Sequence, residues 1–293
     1  MKRFIFLMVC ILYNMGVYAQ TTLQYHLKKG AIFKIKQDAE QIITQELDGA
    51  AHEITNHIDG VLEFKVLGEL ENGYEVALTF KDLNLKMTSS IQGELMNVRA
   101  KEVNENDVQS KVFNTILNNP VKMVLARTGN ILKVQGGDSL VSKMARASGL
   151  EDEFSINMMK KSLENEFGSV ALSNSYKQLT YIYPDRKVSV NDKWENVYNG
   201  KLKTTNEWTL KSIVDGKATI NGKAAVLMDV EDANTIMKLK GTQTTTITAD
   251  TDTGFVTYML IEGISTGVST MTQMGGQEIP TTITSKITYQ LIK

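Results

Sequence analysis

Asn72-Gly73 stands between stretches in which apolar residues return at every second position, and that pattern constrains the chain more than any other. After this dipeptide, Tyr74, Val76, Leu78 and Phe80 share one strand face while Glu75, Ala77 and Thr79 share the other. Such alternation is the mark of antiparallel sheet with one dry face and one wet face. Upstream, Lys28-Lys29-Gly30 reads as an entry turn. Phe33, Ile35, Ala39, Ile43 and Leu47 then fall on one side of an extended run. Asp48-Gly49 and Asp59-Gly60 read as two further turns.

The period then changes to that of helices. Val108, Val112, Phe113, Ile116 and Leu117 form one stripe over Asp107 to Asn118, with Asp107 placed to cap it and Pro120 to end it. A hairpin from Val121 to Val134 turns at Arg127-Thr128-Gly129-Asn130. Two more helical stretches follow, near 138–147 and 151–167, the second with Ile156, Met159, Leu163 and Phe167 on one face. From Tyr181 to Trp194 a β pattern opens again. Strands are predicted over 206–214, 217–230, 238–249, 254–270 and 281–292, with Asp215-Gly216 joining the first two. Thr242, Thr244, Thr245, Thr246 and Thr248 make a threonine-rich strand, suited to a pleated surface that faces water on one side. Pro184 withholds a donor, so its segment is expected at an edge or in a connection.

Three features recur in order on either side of the helical interlude. A turn leads to an aromatic residue (Phe33, Trp194), a central hairpin follows (Asn72-Gly73, Asp215-Gly216), and a Thr-Gly hairpin comes third (Thr128-Gly129, Thr253-Gly254). The expected organisation is a signal peptide at 1–19 and a first β-rich half at 20–147 that contains the 107–118 helix. A helical connector at 148–180 then leads to a second β-rich half at 181–293.

Lys2 and Arg3, the apolar run from Phe4 to Leu12 and Val17-Tyr18-Ala19 read as an export signal cleaved before Gln20. The run is shorter than the ~20 apolar residues that span a bilayer. Cys10 lies inside it, so the mature chain has no cysteine; disulfides and thiol catalysis are excluded, and stability rests on an ordinary core. Loss of the signal takes the formal net charge from −1 to −3, which argues against nucleic acid as a partner. No later segment approaches membrane-spanning length, so the mature protein is not expected to span a membrane. The expected address is the periplasm or the exterior.

Catalytic motifs fail on geometry. Asp252-Thr253-Gly254 spells the tripeptide of aspartic proteases, which need a second carboxylate to share a proton, but the corresponding turn carries Arg127. Asp250, Asp252 and Gly254 echo a calcium loop whose distant glutamate is out of register. His52 and His57 stand five apart in a β context, on opposite faces, where a zinc-peptidase helix needs four. No enzymatic activity, cofactor or metal is expected. Trp194 and Trp208 on alternating strands read first as core. Fourteen methionines, gathered in the helices and the second half, suit either a core or a surface that accepts varied apolar ligands.

The run Pro184, Val188, Val190, Asp192, Trp194, with the signal and the Lys-Lys-Gly turn, resembles an uncharacterised secreted β-rich family of Gram-negative bacteria. That resemblance implies a compartment and no activity. In architecture the chain resembles the lipoprotein-carrier type of half-barrel, in which helices close over an apolar concavity. The expected fold is mainly β with a few helices: a long curved antiparallel sheet, half-barrel-like, in two similar halves. The expected function is binding of a lipid or other apolar small molecule in the concavity, with Met144, Met158, Met159, Leu163 and Trp208 as its contacts. The alternative is a non-enzymatic structural or interaction module whose partner is an envelope protein.

Overall fold

The computed structural model describes residues 20–293 apart from 48, 105–106, 201, 232–234 and 272–275. The signal reading at 1–19 lies outside the described residues. Twelve strands are named in chain order: β1 (Ile32–Leu47), β2 (Ala50–Leu70), β3 (Gly73–Ser89), β4 (Gly93–Arg99), β5 (Val121–Ala126), β6 (Ile131–Gln135), β7 (Lys193–Tyr198), β8 (Leu202–Val214), β9 (Lys217–Glu231), β10 (Thr235–Asp250), β11 (Val256–Met271) and β12 (Glu278–Ile292). The helices are α1 (Val108–Asn114), α2 (Gly137–Ala147), α3 (Glu153–Phe167) and α4 (Ser169–Thr180).

All twelve strands form one curved, open antiparallel sheet in the order β6-β5-β3-β2-β1-β12-β11-β10-β9-β8-β7, with β4 on the far part of β3. The two β-rich halves are therefore not separate sheets. They join where the first strand pairs with the last, from Lys34 opposite Ile292 to Gln45 opposite Thr281. Long strands make this possible, since β2 alone runs for 21 residues. The Tyr181–Trp194 stretch is a connection until β7 begins at Lys193, as Pro184 requires, and Val188 exchanges backbone hydrogen bonds with Thr21 at 2.8 and 2.9 Å.

One predicted turn is corrected. Asp59-Gly60 lies inside the unbroken β2, where Gly60 stands between Gln37 and Leu83. The glycine answers a close approach instead: a side chain there would collide with the Asp82 carbonyl of β3, beside a bulge. The helix predicted over 107–118 is also shorter. Asp107 caps it as expected, accepting from the Gln109 and Ser110 amides at 2.9 and 3.3 Å. It ends at Asn114, with the Thr115 amide donating to the Lys111 carbonyl at 3.3 Å, and the chain turns left-handed at Asn118 (φ 59°), whose amide donates to the Phe80 carbonyl at 2.9 Å.

The helices cover one end of the concave face. α4 touches both edge strands, β6 and β7, and also β11, so it lies across the opening of the sheet. Leu172, Tyr176 and Leu179 of α4 are buried, as are Leu140, Val141 and Met144 of α2; α3 buries no residue. Beneath them a strap of residues 21–27 closes the end of the half-barrel. Leu23, Tyr25 and Leu27 are buried, and the Tyr25 ring packs edge-on to Tyr183 and Phe255. Phe255 stacks on Phe33 at 4.0 Å and meets Phe64, from which ring contacts continue through Tyr176 and Phe80 to Phe167 and Phe113. The threonine face of β10 is turned to water at Thr242, Thr244 and Thr246.

Candidate functional site

Alternation along β1 carries Phe33, Ile35, Gln37, Ala39 and Gln41 to the concave side. On β2 the same side holds Leu62, Gly60, Ile58 and Asn56, each beside its β1 neighbour in register. Near the strap these positions are filled by the aromatic seam. Farther along, the helices stand off from the sheet and leave a cavity of about 700 Å³. Its floor is Ala39, Ile58, Leu62, Leu83, Leu85, Ile287 and Tyr289 of the sheet; its roof is Phe113 of α1, Glu166 and Phe167 of α3, and Leu172, Ser175, Tyr176 and Gln178 of α4. Met87 and Met96 lie at its outer margin, on strands that extend beyond the helices.

The lining mixes apolar side chains with uncharged polar groups, Gln37 on the strap side of Ala39 and Gln41, Asn56 and Ser285 beyond it. Gln178 of α4 donates to Gln243 of β10 at 3.1 Å. Tyr176 and Tyr289 face the space from opposite walls, and burial pushes both phenols above their ordinary range. Glu40, His57, Asp59 and Lys86 also border the cavity, although alternation turns their side chains to the convex face. There His57 Nε2 lies 3.4 Å from Asp38 Oδ2, and Asp59 accepts from Asn84 at 2.9 Å. A concave space of this size, apolar with a few placed polar groups, has the character of a small-molecule site.

The five residues expected as apolar contacts lie elsewhere. Met144 is fully buried in the core under α2, and Trp208 is 2% exposed with its ring over Gly222 and its Nε1 donating to Asn196 Oδ1 at 3.0 Å. Met159 and Leu163 pack on the edge of the core, while Met158 is 56% exposed on the outer side of α3. None of the five is in the cavity lining. The methionines that do line it are Met87 and Met96. One signal in the sequence bordered this wall: on the inward face of β1, Gln37 and Gln41 interrupt an otherwise apolar series. Asp250 belongs to a hairpin turn, where its Oδ1 accepts from the Thr253 amide at 2.8 Å and hydroxyl at 2.6 Å. His52 and His57 remain on opposite faces of β2, as their odd spacing requires.

Residues 71–256, well over half of the chain, match the model of a family described as a family of unknown function, DUF6263. No curated protein sequence matches. Among solved structures, one of lipovitellin, described by its lipid–protein interactions, is similar over 92% of this chain at 12% identity with a TM-score of 0.53. The match occupies 26% of that much longer chain, so this protein spans about a quarter of its length. At that identity the likeness concerns the fold alone. DynF from the dynemicin pathway of Micromonospora chersina (8% identity, 95% and 88% of the two chains) and an outer-membrane channel from Pseudomonas putida F1 (7%, 95% and 99%) have TM-scores of only 0.25.

Proposed function

The chain belongs to the DUF6263 family of unknown function, and we propose that it binds an apolar ligand, such as a lipid, between its curved sheet and the helices that roof it. The observation that carries this reading is the cavity of about 700 Å³, floored by aliphatic side chains and roofed by three helices that do not seal onto it. A solid core would close such a space, because unfilled apolar volume forfeits packing contacts. The size falls within the ~300–1,000 Å³ of small-molecule pockets. The lipovitellin likeness adds that a sheet of this shape is compatible with lipid contact. The reading includes export after cleavage following Ala19, which would place the protein in the periplasm or outside the cell.

Ala39 offers the most direct test, since it belongs to the floor of the cavity. Ala39→Trp places an indole in the space without removing any hydrogen bond. Organic extraction of wild-type protein purified from its producing cell, followed by mass spectrometry, is expected to release a stoichiometric apolar compound. The variant is expected to fold and to release less than a tenth as much. An Ala39→Trp protein that carries as much ligand as wild type would place binding elsewhere.

A further inference from the structure

The inward residues of the sheet form rows across the strands, and one row is polar. Register places Asn56, Gln41, Ser285, Gln243, Asn206 and Asn196 side by side, with Gly263 and Ala224 between them. The row two residues nearer the strap includes Ile58, Ala39, Ile287 and Ile261. Its amides divide into two groups. At the β7 end they are satisfied within the protein: Asn196 Oδ1 accepts from Asn206 and Trp208, both at 3.0 Å, and Asn196 Nδ2 donates to the Tyr181 carbonyl at 2.7 Å. At the β1–β2 end, Gln41 and Asn56 are among the residues that line the cavity. Asn56 Nδ2 donates to Gln41 Oε1 at 3.2 Å, while Asn56 Oδ1 is buried with no partner. A buried acceptor without a donor is the rarer state of such an atom and disfavours the empty site.

From this row we infer that the ligand of the proposed cavity is an uncharged amphiphile, its hydrocarbon part over Ala39, Ile58 and Ile287 and a hydroxyl or amide N–H of its head donated to Asn56 Oδ1. The inference rests on the cavity reading above and deepens it. Neutral character follows from the charges. Among the described lining residues the lysine, Lys86, alternates to the convex face and stands 3.9 Å from Glu94. An ionised carboxylate or phosphate in the amide row would be buried without a countercharge. A hydroxyl-bearing head needs none.

Two ligands of equal chain length separate the possibilities. Delipidated full-length mature protein loaded with an environment-sensitive apolar dye is titrated with 1-monopalmitoylglycerol and with palmitate at pH 8. The monoacylglycerol is expected to displace the dye at least tenfold more effectively. In Asn56→Leu, the advantage of the monoacylglycerol over palmitate, each measured against the same dye, is expected to fall at least fivefold. Equal displacement by palmitate in the wild-type protein overturns the head-group inference and leaves the cavity standing, whatever the variant's folding. A wild-type protein that takes up no dye overturns the cavity reading and this inference together.

Discussion

Raising the pH past about 10 is expected to unfold this protein over a narrow interval, with tyrosine ionisation and loss of β-sheet signal occurring together. Tyr25, Tyr176, Tyr183, Tyr198 and Tyr289 are all buried, and desolvation raises every one of these phenols above the ordinary value of 10.0. For Tyr198 an Asn196 hydrogen bond offsets part of that rise. Several are held as donors: Tyr25 to the Thr180 carbonyl at 3.2 Å, Tyr183 to Gly254 at 2.6 Å and Tyr198 to Tyr181 at 2.7 Å. A phenolate could not donate these bonds, and burial would leave its charge without water.

The sign follows directly. In the unfolded chain these groups lose protons near pH 10, while in the folded protein they keep them, so stability is intact below pH 10 and falls as pH rises toward the folded values. Each such group costs about 1.4 kcal/mol per pH unit in that window, and five together cost roughly 7 kcal/mol per unit. A total stability of about 5–15 kcal/mol is exhausted within one or two units. Circular dichroism and phenolate absorbance followed along one alkaline titration measure both events. Tyr289→Phe should shallow the dependence by about 1.4 kcal/mol per unit. A protein that keeps its sheet to pH 12 while its tyrosines titrate singly would mean that these rings are reached by water.

The second large effect concerns two glycines that do the same work in the two halves. Gly129 and Gly254 both lie in the left-handed region, at φ 91° and 68°, in the Thr-Gly hairpins that the sequence comparison paired. Both hairpins grip the strap around Tyr25: the Tyr25 amide donates to Arg127 and the His26 amide to Thr253, each at 2.8 Å. A methyl on Gly129 would collide with the Thr180 carbonyl, and one on Gly254 with the Gln24 carbonyl. Left-handed backbone alone costs a non-glycine residue about 1–2 kcal/mol. Backbone collision adds to it, since neither carbonyl belongs to a flexible side chain. Gly129→Ala and Gly254→Ala are each expected to destabilise by about 3 kcal/mol or more in denaturant titrations. Gly30→Ala is the control, with φ 86° and open space around it, and should lose only the backbone part. Equal losses at all three sites would show that the strap yields to the intruding methyl.

Much of the architecture was legible because period and turn chemistry are local. Tyr74 to Phe80, the Asn72-Gly73 hairpin, the Asp107 cap and the threonine face of β10 all follow from residues within a few positions of one another. Asp59-Gly60 misled because the same dipeptide serves a turn and a close strand approach, and only the position of β3 distinguishes them. The lining of the cavity was harder to read. Met144, Met159, Leu163 and Trp208 have the right chemistry, yet whether an apolar residue meets a core or a cavity depends on how far a helix stands from the sheet.

What the sequence by itself determined is the β character of the chain, most of its long strands, several of its turns, the Asp107 cap and the alternation that assigns each side chain to a face. Tertiary structure alone decided that the first and last strands pair, which makes one sheet of two halves, and that α4 crosses its open side. It also decided which amides share a row. Gln41, Ser285 and Gln243 are more than 200 positions apart at their extremes, and nothing in their local sequence records a register set by strand pairing around the whole sheet.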